Sequence, residues 1–246
     1  MEEWLSRTEL CLGKERLEKI KSSNILVVGL GGVGAIAAEM LCRSGIGRMT
    51  IADGDIILPS NRNRQIHALI STERQPKALV MEKRLRDINP ELQLTVINEF
   101  IRDERMIEIL EEPFDYVVDA IDTLSPKVFL IYHSLRRNYR IISSMGSGGK
   151  FDPLLIKVSD ISETSFCHLA RMIRKKLHKL GIREGFKAVW SPEIVEKSRI
   201  IRTEGERNKA SVAGTVPWMP AAFGIVIASV VIRDLAGIEI NASDIQ

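Results

Sequence analysis

The stretch that decides the fold is Asn24–Asp55, NILVVGLGGVGAIAAEMLCRSGIGRMTIADGD. It opens on the apolar, β-branched run Ile25-Leu26-Val27-Val28, which suits a strand buried on both faces of a parallel sheet. Gly29, Gly31 and Gly34 follow in G-x-G-x-x-G spacing, with Gly32 among them, and Ala35–Cys42 then reads as a helix. A second short strand, Met49–Ala52, ends at Asp53, with Asp55 just beyond it. Gly34 to Asp53 is about the interval at which an acidic ribose ligand is expected. Glycines are needed at such a turn because a side chain would keep the backbone away from a phosphate. The N–H groups at the helix start then face that anion along the helix dipole. Strand, turn, helix and acid together predict nucleotide binding, where the glycines alone would signal only a tight turn. A nicotinamide dehydrogenase uses the same arrangement, so the choice of nucleotide rests on the residues beyond Asp53.

A chain of 246 residues can bury a substantial core, and one α/β domain is the simplest reading. Within it, residues 1–23 are expected to form a helical arm, 24–149 the nucleotide-binding core, and 150–246 the substrate-binding part. Charged residues at 27% and hydrophobic residues at 45% exclude neither fold nor function, being ordinary for a globular protein. A net charge of +3 does not by itself imply a nucleic-acid partner, so any basic patch must be local. The three cysteines, Cys11, Cys42 and Cys167, form no Cys-x-x-Cys pair, so neither a zinc site of that type nor a disulfide framework is expected. A reducing cytosol fits that usage. The opening MEEWLSRTEL is acidic and polar, unlike a signal peptide. Met219–Ile232 is nearly all apolar but falls short of the ~20 residues that span a bilayer. A buried core helix is the favoured reading there, with peripheral membrane association as the alternative.

Taken in order, the N-terminal arm carries Leu10, Leu17 and Ile20 as one apolar stripe, with Arg7 ahead of it. After Asp53, the run SNRNRQIHAL crowds Asn61, Arg62, Asn63, Arg64 and Gln65 just past a strand end. In a doubly wound sheet that rim is where ligands bind, and arginine forks suit phosphate oxygens. The alternative is a charged surface loop. Lys77 opens a helix reaching about Ile88, a place the helix dipole disfavours unless an anion lies near. Lys83, Arg84 and Arg86 read as its solvated face.

Leu92–Ile97 is expected as a strand, Met106–Leu110 as a short helix and Tyr116–Ala120 as a buried strand. Asp119 lies inside that last apolar run. Asp122 lies just past it, where a carboxylate can hold a phosphate-bound metal ion or can cap the helix Leu124–Asn138. Arg140–Ser144 gives a further strand, followed by the Gly-rich turn Met145–Gly149. The pattern β-α-β-α-β-α-β-α-β predicts a Rossmann-like, doubly wound, mostly parallel sheet with helices on both faces. Phe151–Ser159 reads as a strand pair. In Cys167–Gly181 the apolar positions Leu169, Met172, Ile173, Leu177 and Leu180 share a face. Arg171, Arg174, Lys175, Lys176 and Lys179 fill much of the rest, a candidate contact surface for a phosphate backbone, or else a solvated face. Lys187–Ser191 reads as a strand and the polar Glu193–Ala213 as a mobile loop over the site.

The segments SRTELCLG, VVGLGGVGAIAAEMLCRSGIGRMTIAD, SNRNRQIHAL, PKALVMEKRLRDINP, VVDAIDT and ISSMGSG together resemble the ubiquitin-activating-enzyme superfamily of ATP-dependent adenylating proteins. Over nearly the whole length the resemblance is to the branch that dehydrates threonylcarbamoyladenosine in tRNA. It implies ATP and Mg²⁺ as the cofactors. Asp53 would hold the ribose, and Gly29, Gly31, Gly32 and Gly34 would lie against the nucleotide. Arg64 and Lys77 would bind phosphates, with Asn61, Gln65 and Asp55 nearby, and Asp122 would coordinate Mg²⁺. Arg7 matches an arginine that reaches the neighbouring subunit's ATP, which implies a homodimer. The implied reaction is ATP-dependent cyclisation of N6-threonylcarbamoyladenosine through an acyl-adenylate, releasing AMP and pyrophosphate, in the cytoplasm. The partners would be the modified tRNA and a sulfur-relay or carrier protein.

Three rivals remain at this level. An adenylyltransferase acting on the C-terminus of a ubiquitin-like sulfur carrier shares the motifs, though many such proteins carry paired Cys-x-x-Cys zinc ligands that this chain does not have. A dehydrogenase would bind NAD through Asp53 but leaves Arg64, Lys77 and Asp122 without roles. A non-catalytic scaffold would hold tRNA and release no pyrophosphate. Cys167 reads as a partly buried helix-start thiol rather than a thioester nucleophile.

Overall fold

The computed structural model describes residues 3–202 and 211–239. Its N-terminal arm is two helices, α1 (Ser6–Leu12) and α2 (Lys14–Ser22), split at Gly13. Gly13 stands at φ +82°, a conformation that L side chains rarely adopt, so the helical repeat restarts there. The expected single stripe is therefore broken: Leu17 and Ile20 are buried, while Leu10 on α1 is 88% exposed.

From there the chain alternates as the glycine motif suggests. β1 (Asn24–Val28) leads into α3 (Gly34–Arg43), β2 (Arg48–Ala52), α4 (Lys77–Ile88) and β3 (Gln93–Ile97). Next come α5 (Asp103–Ile109), β4 (Tyr116–Asp119), α6 (Leu124–Arg136) and β5 (Ile141–Ser144). β6 (Lys157–Asp160), α7 (His168–Lys179) and β7 (Lys187–Trp190) follow. One seven-stranded sheet results, ordered β3-β2-β1-β4-β5-β7-β6. All its pairs are parallel except β6 with β7. The Rossmann-like, mostly parallel architecture is thus the observed one.

β1 shows why the sheet is covered twice. Its side chains alternate, so Ile25 and Val27 join the core under α3, α4 and the last helix, α8 (Trp218–Ala236). Leu26 and Val28 join the opposite core under α5, α6 and α7. Each such fully buried aliphatic side chain contributes about 1.5–3 kcal/mol, and every position of β1 after Asn24 is used this way.

Three expectations are corrected. The strand pair over Phe151–Ser159 is a 3₁₀ turn, Pro153–Leu155, followed by the single strand β6. Pro153 lacks the N–H that a ladder needs, and β6 pairs antiparallel with β7. The expected mobile loop contains a ribbon, β8 (Ile200–Arg202) against β9 (Ser211–Ala213); the intervening residues 203–210 lie outside the described residues. Thr123, not Asp122, takes the N-cap position of α6. α8 is apolar and long enough by composition to cross a membrane. Here Met219, Phe223, Ile227 and Val231 are buried in the core, where the helix packs on α2 and α3.

Candidate active site

The strand order reverses between β1 and β4, and doubly wound sheets bind ligands at that switch point. Gly29 leaves β1 at φ +91°. A Cβ there would lie 2.7 Å from the Ala120 carbonyl oxygen, and one on Gly34 would lie 1.8 Å from the Gly29 oxygen. Both glycines are therefore required by the backbone itself. Gly31 differs: a Cβ there would meet nothing nearer than Gln65 Nε2 at 3.9 Å. The turn is closed on its protein side and open at Gly31.

Asp53 follows β2 and is bound to the turn. Its Oδ2 accepts from Leu30 N at 2.6 Å and its Oδ1 from Asp55 N at 2.8 Å. Burial raises its pKa above the ordinary carboxylate value, opposed by the Lys77 charge and these two N–H groups. Lys77 is 5% exposed, and its Nζ lies 2.8 Å from Asp55 Oδ2. That contact supplies the anion that a lysine at a helix N-terminus needs. Asp55 is thus a partner for Lys77 as well as a candidate ligand.

The segment between them lines the other side. Asn61 and Gln65 are buried, and Asn61 Oδ1 accepts from Leu58 N. Gln65 Oε1 is buried without a hydrogen-bond partner, in an amide that faces Gly31. An orphaned buried acceptor beside an open glycine turn fits a missing hydrogen-bonding ligand. Arg64 Nη1 donates to Ser60 O and to Asn63 Oδ1. Burial lowers the Arg64 pKa, while the Asp122 carboxylate opposes that shift electrostatically. A Cβ on Gly32 would lie 3.1 Å from Arg64 O, and one on Gly29 would lie 3.1 Å from Ile121 N, so the segments that carry Arg64 and Asp122, 58 positions apart, flank one glycine turn.

Asp119 ends β4, just ahead of the turn that carries Asp122, and is wholly buried. It accepts from Ser143 Oγ at 2.6 Å and from Ile121 N at 3.1 Å, and it pairs with Lys127 at 2.8 Å. Lys127 Nζ also donates to Ile121 O. The turn that carries Asp122 is therefore clamped from below. Lys127 is not recognisable from sequence because a lysine inside an amphipathic helix looks solvated; the isolated Asp119 in an apolar strand is the signal that a buried cation must exist. Arg84 is likewise expected on a solvated face, but it pairs with the buried Glu39 of α3.

Other candidates lie elsewhere. Arg7 is exposed on α1. On α7, Arg171, Lys175 and Lys179 are exposed. Arg174 instead donates to Thr164 O at 2.8 Å and to Thr164 Oγ1, and Lys176 Nζ donates to Ser125 Oγ at 3.3 Å. Leu180, expected on the apolar face, is 49% exposed beyond the helix end. Cys167 is buried at the N-cap of α7. Among the described residues, no three His, Cys, Asp or Glu side chains converge as a metal site. Two cavities of about 430 and 400 Å³ open beside Gly47, Arg48 and Gln93, and beside Ser23, Asp115 and Arg140. Those residues mark the N-terminal ends of strands, the wrong edge for this chemistry.

Similarity to known proteins decides the family. Residues 5–244 match the ThiF family model. The chain belongs to the ThiF family. A ThiF relative, the tRNA threonylcarbamoyladenosine dehydratase of Bacillus subtilis (strain 168), is 38% identical over 94% of this chain and 93% of its own. The crystal structure of the Escherichia coli tRNA N6-threonylcarbamoyladenosine dehydratase in complex with ATP superposes with a TM-score of 0.87 at 33% identity, covering 96% of each chain. Its AMP complex gives the same values. The sulfur carrier protein adenylyltransferase of Thermus thermophilus is 35% identical, but over 49% of this chain and 44% of its own.

Proposed function

We propose that this ThiF protein is an ATP-dependent tRNA threonylcarbamoyladenosine dehydratase acting in the cytoplasm. The observation that carries the reading is the open glycine turn flanked by the Arg64 main chain at Gly32 and by Ala120 and Ile121, just ahead of Asp122, at Gly29, with the Lys77–Asp55 pair next to Asp53. Full-length similarity to dehydratases, one of them solved with ATP and with AMP, supports the same conclusion.

In this reading Asp53 receives the ribose hydroxyls, and the main chain of Gly29–Gly34 approaches the nucleotide. Arg64 and Lys77 hold phosphate oxygens, with Asn61 and Gln65 completing the polar wall. Attack of a carboxylate on the α-phosphate, with pyrophosphate leaving, brings anions together and adds charge to the phosphoryl oxygens. Fixed cations in a site with little water offset that charge. No acid–base residue is needed for this step. The carboxylate is that of the threonyl group on the modified adenosine, and a nitrogen of the same group then closes a ring and expels AMP. Tethering of the two reacting groups favours closure. Asp122, an exposed carboxylate beside Arg64, fits Mg²⁺ that is held chiefly by phosphates and water, and the ion would neutralise phosphate charge there. Arg7 extends toward a second subunit's nucleotide in a homodimer, and the exposed Arg171, Lys175 and Lys179 meet the tRNA backbone.

The test is incubation with ATP, Mg²⁺ and threonylcarbamoyl-modified tRNA. Formation of AMP and a nucleoside lighter by one water is expected. Arg64→Ala and Asp122→Ala should each abolish it while the fold persists; full activity in both would overturn the reading. The Thermus match over half the chain favours a second reading, adenylation of a ubiquitin-like carrier. Carrier-dependent pyrophosphate release with no change in tRNA would select it.

A further inference from the structure

Asn63 stands in the centre of the SNRNRQ run but faces two ways. Its Oδ1 accepts from Arg64 Nη1 at 2.8 Å. Its Nδ2 donates to Thr215 O at 2.9 Å, across 152 positions of sequence. Thr215 belongs to the segment 213–220, which runs from the last residue of β9 into the first turn of α8.

That segment straps together the glycine turns of two strands. Near its C-terminal end, Pro220 presses on the nucleotide turn: a Cβ on Gly32 would lie 3.0 Å from Pro220 Cβ. At its start it lies on the turn after β5. Gly149 N donates to Gly214 O at 2.7 Å, and a Cβ on Gly148 would lie 2.9 Å from Ala213 Cβ. Arg199 fastens the same place, with Nη1 donating to Gly149 O at 3.1 Å while its own carbonyl accepts from Gly214 N at 2.8 Å. A path of hydrogen bonds and main chain thus runs from Arg64 through Asn63, Thr215 and Gly214 to the turn after β5. β5 neighbours β4, so that turn opens on the same rim as Asp122.

We infer that Asn63 is a positioning residue that orients the Arg64 guanidinium according to how the 213–220 strap is seated. The inference rests on the ATP reading above and deepens it. Arg64 serves the phosphates, and the strap bridges the nucleotide turn at Gly32 and the turn after β5 at Gly148 and Gly149. Seating of the strap and alignment of Arg64 then become one event. Arg64 also donates to Ser60 O, so it is tethered without Asn63, but to its own loop alone. Asn63 is the hydrogen-bond partner through which its orientation depends on the 213–220 segment.

A double-mutant cycle tests this, with ATP affinity and the kcat and KM for modified tRNA as readouts. Gly148→Ala forces the strap off the turn without touching Arg64. It should weaken ATP binding roughly five-fold in the Asn63 chain and leave it unchanged in an Asn63→Ala chain. Arg199→Ala, which removes a fastening and fills no space, serves the same purpose should Gly148→Ala fail to fold. Asn63→Gln keeps an amide donor and acceptor and should retain the sensitivity. In Asn63→Ala alone, kcat should fall more than the KM for tRNA rises. Equal effects of Gly148→Ala or Arg199→Ala with and without Asn63 would overturn the inference and leave the nucleotide reading standing. Failure of the unaltered chain to bind ATP would overturn the nucleotide reading itself, and the inference with it.

Discussion

Asp119 and Lys127 form an ion pair 2.8 Å long in which neither side chain has any exposure. Both also grip Ile121, Asp119 through its N–H and Lys127 through its carbonyl. The pair therefore fixes the main chain one residue before Asp122. Burial raises the Asp119 pKa, and the Lys127 charge is the largest influence opposing that shift. Removing one partner leaves an uncompensated buried charge, which costs about 3–5 kcal/mol. Lys127→Ala should lose that much in urea unfolding. The double variant Asp119→Asn, Lys127→Met should recover most of the stability but lose ATP affinity measured with Mg²⁺, because the Lys127 hold on the Ile121 carbonyl is gone. A double variant with unaltered affinity would show the pair to be structural only.

His67 gives a pH prediction. It is 2% exposed, and neither ring nitrogen has a hydrogen-bond partner. Burial, and then the charges of Lys77 and Arg84, push its pKa down to about 4 from the ordinary 6.5. The folded chain thus keeps His67 neutral where the unfolded chain protonates it. The stability from the neutral ring is fully present above pH 6.5 and is lost as pH falls toward about 4. The loss is on the order of 3 kcal/mol. His67→Leu should leave stability at pH 7 nearly unchanged and flatten the acid limb of a stability–pH curve. An unchanged acid limb would place the sensitivity in other groups.

The parts of the fold that can be read from sequence are those fixed by short-range pattern. β1, the Gly29–Gly34 turn and Asp53 lie within one 30-residue stretch, and α4 begins at Lys77 and ends at Ile88, as expected from Pro76 before it and Pro90 after it. The ligand rim is legible as well, because strand ends in a doubly wound sheet all point there. The remainder depends on partners far away in sequence. Lys127 looks like any helix-face lysine until Asp119 is placed beneath it. Arg84 looks solvated until α3 brings Glu39 alongside. Leu10 looks like a core residue until Gly13 breaks the helix. Asn63 is visible in its cluster, but its reach to Thr215 is not.

Gly34 and Gly31 should respond oppositely to alanine. A Cβ on Gly34 would overlap the Gly29 carbonyl oxygen at 1.8 Å, and main chain there cannot yield. Gly34→Ala should therefore destabilise by ~3 kcal/mol or more, seen as a lowered Tm without ligand. Gly31→Ala meets no protein atom closer than 3.9 Å, so its Tm should move by the equivalent of about 0.5 kcal/mol or less. Its methyl group would instead occupy the space through which a phosphate approaches, and ATP should no longer raise the Tm. Retained ATP protection in Gly31→Ala would move the phosphates off this turn.

The basic helix α7 allows its charges to be sorted by the groups they touch. Arg174 lies partly buried against Thr164 and the turn Ile161–Glu163, where its guanidinium satisfies carbonyls of the main chain. Arg174→Ala should then lower stability by roughly 1–3 kcal/mol, the cost of leaving such acceptors unpaired. Arg171, Lys175 and Lys179 are exposed, so their replacement by glutamine should leave the Tm in place. If these three face the tRNA backbone, the triple variant releases fewer counterions on binding. The slope of log K against log salt should become shallower by about 0.9 for each phosphate the variant no longer neutralises. Binding of tRNA at low salt should weaken regardless of tRNA sequence, while ATP affinity is untouched. Equal tRNA affinity in the triple variant across that salt range would assign the nucleic-acid surface to another face of the molecule.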